Sequence, residues 1–224
     1  MYPHRLEERR AWLRRGFSGA VDHAMETGAQ LFLIAGDLFD SPEPRNAERE
    51  FVAEALARLR SAGVRCLAIS GNHDTPRSRG SQPPATPLGS YAPLGGMRLL
   101  RGRGEIDTEL LEIADVRVAV GGMTPDPTLP PGSDPLDGVT WDPQADLAIL
   151  LLHGGLEGHI YPGASEAILR RATVEALGAD CLLVGHVHKH AAFRWGERTV
   201  VVPGATERMT FGDLGSQPGF VEMV

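Results

Sequence analysis

The sequence is short of thiols, aromatic rings, long apolar runs and positive charge, and each shortage excludes something. Only two cysteines occur, Cys66 and Cys181, each inside a short apolar segment. A disulfide scaffold is therefore excluded, and buried thiols in a reducing cytoplasm are the expectation. Aromatics stand at 6% in a composition otherwise ordinary for a globular chain, 42% hydrophobic and 23% charged. The longest clear apolar run, Leu147–Leu152, falls far below the roughly 18 residues a membrane span needs. The basic opening MYPHRLEERRAWLRR is followed by no apolar stretch and small-residue cleavage site, so it does not read as a secretion signal. The net charge of -7 argues against wide nonspecific nucleic-acid binding. Carboxylates and histidines that hold cations would nevertheless look acidic in such a count.

What is present alternates short apolar runs with amphipathic stretches, the pattern of an α/β layered fold. Leu6, Leu13, Phe17, Val21 and Met25 recur at helical spacing over residues 5–27, and Gly28 closes the stretch. LFLIA (31–35) reads as a buried strand. Ser41 and Pro42 open a second helix that stops at Gly63, and VRCLAI (64–69) is the next strand. A long loop rich in Gly, Pro and Ser follows, from Ser70 to Gly96. Strands are expected near 97–100, 110–113, 116–120, 147–152, 181–185 and 199–204, with a helix from Ser165 to Gly178 and a last strand over 220–224. A single domain over 1–224 is the expectation.

Four polar clusters stand where an apolar strand gives way to a loop: Gly36-Asp37 with Asp40, Gly71-Asn72-His73-Asp74, His153-Gly154, and Gly185-His186 with His188. Ligands of open α/β sheets gather at the carboxyl ends of strands, so four such endings can share one crevice. Imidazole, carboxylate and amide oxygen together favour manganese, iron or zinc over calcium, and no thiolate demands zinc. Such donors can hold a phosphate-bound metal pair and lower the pKa of an attacking water.

The order GD-x-x-D, GNHD, HG, GH-x-H resembles the calcineurin-like metallophosphoesterase superfamily. AGDLFDSPEP, SGNHDTPRS, GHVHK and VVPGATERMTFGD are most similar to its SbcD-like DNA-repair exonuclease branch, with Val202, Ala205 and Asp213 departing from the branch's tail. The resemblance implies a four-layer α-β-β-α sandwich and a metal-dependent phosphodiesterase, a repair nuclease using a metal-activated hydroxide on DNA ends. It implies Mn2+, with Fe2+ or Zn2+ as alternatives, an SbcC-like ATPase partner and pairing of two copies. By the same resemblance Asp37 would bridge two metals, Asn72, His153 and His186 would complete the second metal's shell, and His188 would bind the first. His73 would be the catalytic histidine, oriented by Asp74. Asp40 would line the site, with His159 and His190 nearby as non-ligands.

The family opens on a strand ending in Asp-x-His, and no such strand precedes the first helix here; His4 and the Asp22-His23 pair lie in a helical pattern. The expectation is a chain begun downstream of its original start, or else a natural variant, with one metal held rather than two. A strand lost from the sheet would leave its neighbours an unpaired edge. No capping domain is expected after residue 224. Candidate phosphate contacts are Arg77, Arg79, Arg98, Arg101 and Arg103. Two other readings stay open: a small-molecule or cyclic-nucleotide phosphodiesterase, and a non-catalytic remnant with one metal site.

Overall fold

The apolar spacing of the first stretch produces helix α1, Pro3–Glu26, in a computed structural model that describes residues 3–76, 85–160 and 165–224. Ala20, Val21 and Ala24 are buried along one face, and Gly28 leaves the helix in the left-handed conformation (φ 66°) that suits a residue without Cβ. Asp22 pairs with Arg58, and His23 Nε2 lies 3.0 Å from Glu222 Oε2, so both serve the helix surface. Strand β1 occupies Leu31–Ala35. Helix α2 spans Asn46–Ser61, not the earlier start expected at Ser41. Pro44 accounts for the difference: its ring disfavours a helical Glu43, so the helix forms only beyond it. The Glu48 carboxylate then accepts from the Arg45 backbone N–H at 2.9 Å.

Strands β2 (Arg65–Ile69) and β3 (Arg98–Leu99) complete a parallel sheet in the order β1-β2-β3. A second, mixed sheet comprises β4 (Asp107–Ile113), β5 (Val116–Gly122), β6 (Leu147–His153), β9 (Cys181–Gly185), β10 (Ala191–Trp195) and β11 (Arg198–Val202). Its order is β10-β11-β9-β6-β5-β4, with only the outer pairs antiparallel. A small parallel pair, β7 (Gly155–Leu156) and β8 (Ile168–Leu169), lies apart from both sheets.

Three apolar clusters define the layers. Helices α1 and α2 cover the first sheet through Val21, Leu56, Leu59 and Ala68. Leu67, Ile69, Leu100, Val120, Ile149, Leu151 and Leu183 fill the space between the sheets. On the far side, Leu136, Val174 and Leu177 pack on Leu150, Leu152 and Leu182. The result is the α-β-β-α sandwich, with a thin fourth layer made of helix α3 (Arg171–Ala176) and irregular chain.

Other departures from expectation are local. The helix expected over 165–178 shrinks to six residues because β8 pairs with β7 and Arg170 stays extended (ψ 146°). The edge strand β10 went unanticipated, and residues 220–224 form no strand. Cys66 and Cys181 are free and buried, and burial pushes their thiols up to about 12 and about 11. No helix among the described residues is long and apolar enough to cross a membrane. Arg77 and Arg79 lie outside the described residues.

Candidate metal centre

Strands β1 and β2 run parallel in one sheet and β6 and β9 in the other, and the residues after their carboxyl ends meet where the two sheets abut. His153, the last residue of β6, sits opposite Gly185, the last of β9. Glycine is required there: a Cβ on Gly185 would stand 1.9 Å from the Ala35 carbonyl oxygen and 2.8 Å from His153 Nδ1. A Cβ on Gly71 would likewise fall 2.1 Å from Asp37 Oδ1. Two site residues hold backbone conformations uncommon for L side chains, Asp37 at φ 53° and His186 at φ 98°. Such conformations persist only where the surroundings fix them, and they concentrate at functional sites.

The side chains brought together are Asp37, Asn72, His153 and His186. Asn72 Oδ1 lies 2.9 Å from both His153 Nε2 and His186 Nδ1, and Asp37 Oδ2 lies 3.2 Å from His153 Nε2. Ligand atoms of Asp37, His153 and His186 all fall within 4.8 Å of one another. The hydrogen bonds on the far sides of the rings decide what faces inward. A carbonyl only accepts, so His153 Nδ1 must donate to Ala35 O at 2.7 Å. A carboxylate only accepts, so His186 Nε2 donates to Glu166 Oε2 at 2.8 Å. In their neutral forms both rings then turn lone pairs on the amide oxygen and the Asp37 carboxylate. Lone pairs converging on one point fit a cation, and the donor set of one carboxylate, one amide oxygen and two imidazoles, with only His153 buried, suits a divalent transition metal.

The electrostatics agree. Burial pushes the His153 imidazole down, but the Asp37 hydrogen bond and charge outweigh it and leave its pKa above the ordinary value. Burial pushes Asp37 up, and His153 with the His73 N–H pulls it back below the carboxylate norm. Burial and the neighbouring His153 charge hold His186 low, against Glu166 and Asp37. Metal uptake must therefore displace a proton from His153 wherever that ring is charged. Mn2+ calorimetry in buffers of different ionisation enthalpy should show about one proton released near pH 6, with apparent affinity falling about tenfold per unit on further acidification. Equal affinity at pH 6 and pH 8 would remove His153 from the ligand set.

His188 stands outside this group. Its Nδ1 lies 3.1 Å from both oxygens of the buried Asp213, which also accepts from the Met209 and Thr210 backbone N–H groups. His73 reaches Asp37 Oδ1 through its backbone N–H (2.8 Å), and its half-exposed ring places Nδ1 3.3 Å from Asp40 Oδ1. Asp40, not Asp74, is thus the carboxylate beside His73. Asp74 is fully buried and accepts from the backbone N–H groups of Gly71 (2.9 Å), Phe39 (2.9 Å) and Leu38 (3.2 Å), clamping the loops after β1 and β2 together. Burial raises its pKa against those donors. An Asp74→Asn change sets an amide NH2 against one or two N–H donors and should destabilise by about 2 kcal/mol. Urea melts of the two proteins measure it; unchanged midpoints would show that the clamp is dispensable.

His159 stacks on Phe193 at 4.5 Å between ring centroids, and His190 Nδ1 donates to Val202 O at 2.9 Å; neither joins the cluster. Arg98 is held by Asp107 (2.6 Å) and Glu109 (2.9 Å), and Arg103 by Asp126 (2.7 Å). Sequence reasoning overlooked Glu166, which follows a Gly- and Pro-containing stretch and reads as the opening of a helix. Asp213 lies in the ERMTFGD segment, but nothing in the segment says that its carboxylate meets His188.

Comparison with known proteins places this geometry in context. The family model described as calcineurin-like phosphoesterase matches residues 3–190. The chain is 26% identical over 221 residues to the DNA double-strand break repair protein Mre11 of Methanopyrus kandleri, covering 96% of this chain and 48% of that protein. It is 28% identical over 207 residues to Mre11 of Archaeoglobus fulgidus (87% and 44% covered), and 40% identical over 77 residues to that of Aeropyrum pernix (34% and 19%). The chain thus spans about half the length of these relatives or less. Among solved structures, TT1561 of Thermus thermophilus aligns with a TM-score of 0.52 at 17% identity over 85% of each chain, a likeness of fold.

Proposed function

Because the chain belongs to the calcineurin-like phosphoesterase family, we propose that it is a divalent-metal phosphodiesterase that cleaves DNA at strand ends. The observation that carries this reading is the meeting of Asp37 Oδ2, Asn72 Oδ1, His153 Nε2 and His186 Nδ1 at the ends of four parallel strands. These residues would hold one metal ion, for which manganese suits the donors. A bound divalent cation supplies polarisation of the phosphate and a lowered pKa for the attacking water. The protein contributes the rest. His73, tied by its backbone to Asp37, stands at the rim with its ring turned by Asp40, where it can pass a proton to the leaving oxygen. Asp74 keeps the His73 and Asp37 loops in fixed relation.

DNA as substrate rests on the relatives' names and on the LFDSPEP and ERMTFGD segments. An ATPase partner of the SbcC type and pairing of two copies belong to the same reading. A small-molecule or cyclic-nucleotide substrate is favoured by the net charge of -7 and by the ion pairs that already engage Arg98 and Arg103. Incubating the Mn2+-loaded protein with an end-labelled single-stranded oligonucleotide and, separately, a cyclic nucleotide distinguishes them. Stepwise shortening of the oligonucleotide, abolished by EDTA, is the expected result. Turnover of the cyclic nucleotide alone would transfer the assignment to the second reading, and metal binding without either reaction would leave a non-catalytic remnant.

A further inference from the structure

We propose that Glu166 is a positioning residue for the metal centre: its carboxylate keeps the His186 proton on Nε2, so that Nδ1 is left open toward a divalent cation. The inference rests on the reading of Asp37, Asn72, His153 and His186 as metal ligands and adds to it the group that decides whether His186 can act as one.

A neutral imidazole carries one proton and has two places for it. On His186 both places have a partner. Nε2 faces Glu166 Oε2 at 2.8 Å, and Nδ1 faces Asn72 Oδ1 at 2.9 Å. Without Glu166, the proton would find a good acceptor in the Asn72 oxygen, and the Nδ1–H···O bond would block both ligand atoms together. The carboxylate is the stronger acceptor, because a hydrogen bond to an ionised group is roughly twice as strong as a neutral one. It therefore draws the proton to the outer nitrogen and leaves a lone pair on the inner one.

The place occupied by Glu166 is built for a carboxylate. The β7–β8 pairing sets Gly155 against Ile168 and so brings the Glu166 segment to the mouth of the site. A Cβ on Gly155 would stand 2.9 Å from Glu166 Oε1 and 3.0 Å from its carboxyl carbon, so glycine leaves the room the group needs. The Glu166 backbone oxygen accepts from Gly132 N–H at 2.7 Å, which anchors the segment. Oε1 is buried and has no hydrogen-bond partner among the described residues. An unpaired buried oxygen on a partly exposed carboxylate costs stability, so packing gives no account of it, whereas a demand for negative charge behind His186 does. The other two rings are handled alike: Ala35 O fixes His153 and Asp213 fixes His188, each through Nδ1. Outer partners of this kind typically govern metal affinity by roughly 10–100-fold.

The test has a metal-free arm and a metal-binding arm. Long-range 1H–15N correlation spectra of metal-free, 15N-histidine-labelled protein near pH 8 should show His186 protonated on Nε2 in the wild type and on Nδ1 in Glu166→Ala. Calorimetric Mn2+ affinity should fall roughly 10–100-fold in Glu166→Ala. Glu166→Gln, whose amide oxygen still accepts from Nε2–H, should keep the wild-type tautomer and lose less affinity. A wild-type His186 protonated on Nδ1, or a Glu166→Ala protein with unchanged tautomer and unchanged affinity, overturns the proposal. Should Glu166→Ala fail to fold, the wild-type spectrum and Glu166→Gln still decide it. Wild-type protein that binds no Mn2+ overturns the metal reading instead, while the tautomer arm continues to judge the role of Glu166.

Discussion

Asp37→Asn is expected to lower phosphodiesterase turnover by about 10^3-fold or more, the equivalent of several kcal/mol of lost charge stabilisation, while leaving the fold nearly intact. Asparagine is the informative replacement because it tolerates the left-handed backbone that Asp37 adopts at φ 53°. Its amide oxygen can also still accept from the His73 N–H. What disappears is the negative charge 3.2 Å from His153 Nε2. Two consequences separate this change from simple damage. Mn2+ binding should become too weak to follow at millimolar metal, since the one carboxylate in the cluster supplied its only negative ligand atom. The metal-free protein should also lose part of the pH dependence of its stability. In the wild type His153 is raised above its ordinary 6.5 and Asp37 is lowered below its ordinary 3.8. Their pairing therefore contributes fully between those two values. It is lost as pH rises through the raised His153 pKa and as pH falls through the lowered Asp37 pKa. Chemical melts of metal-free protein at about pH 5 and about pH 9 should show a contrast in the wild type that shrinks in Asp37→Asn. A variant that kept Mn2+ affinity and turnover would remove Asp37 from the centre.

Much of this candidate site is legible in the sequence alone, and the reason is the abruptness of its boundaries. LFLIA, LAILLL and CLLVG leave no polar group until the strand ends, so Asp37, His153 and His186 announce themselves as residues a buried sheet would not otherwise tolerate. The glycines beside them were equally readable, though not their distances: only the packed structure brings Gly185 within 1.9 Å of a carbonyl for any added Cβ. What the sequence concealed were the partners behind the ligands. Glu166 looks like one more surface carboxylate in a helix opening, because its meaning depends on β7 and β8, pairs of residues too short to have a period. The resemblance paired Asp74 with His73, yet the Asp74 oxygens are taken by backbone donors. Asp40 reaches His73 from another loop. Helix ends failed for similar reasons: Pro42 looked like a helix opener until Pro44 excluded the residue before it.

Gly36→Ala should be severely damaging, abolishing measurable Mn2+ binding and costing about 4 kcal/mol of stability, near the exceptional end for point changes. Two penalties coincide at this position. Gly36 adopts φ 87°, a conformation that alone costs a residue with a Cβ roughly 1–2 kcal/mol. The added carbon would also stand 2.4 Å from His153 Nδ1 and 2.8 Å from both the nitrogen and the α-carbon of Gly71. None of these atoms can retreat cheaply. Gly71 is backbone, hydrogen-bonded to Asp74, and His153 Nδ1 is bonded to the carbonyl of Ala35, the residue before Gly36. Relief requires the His153 ring to leave Ala35 O, which frees its tautomer, or the β1 and β2 loops to part, which separates Asp37 from Asn72. Either route dismantles the centre, so stability and metal binding should fail together, unlike in Asp37→Asn, where binding fails while the fold stays nearly intact. Gly19→Ala is the matching control, because a Cβ there meets nothing within 4 Å and helix α1 favours alanine. Differential scanning calorimetry and Mn2+ titration of the two variants test the comparison. A Gly36→Ala protein that melts with the wild type and still binds Mn2+ would mean that the close approach of β1, β2 and β6 does not hold the ligands in place.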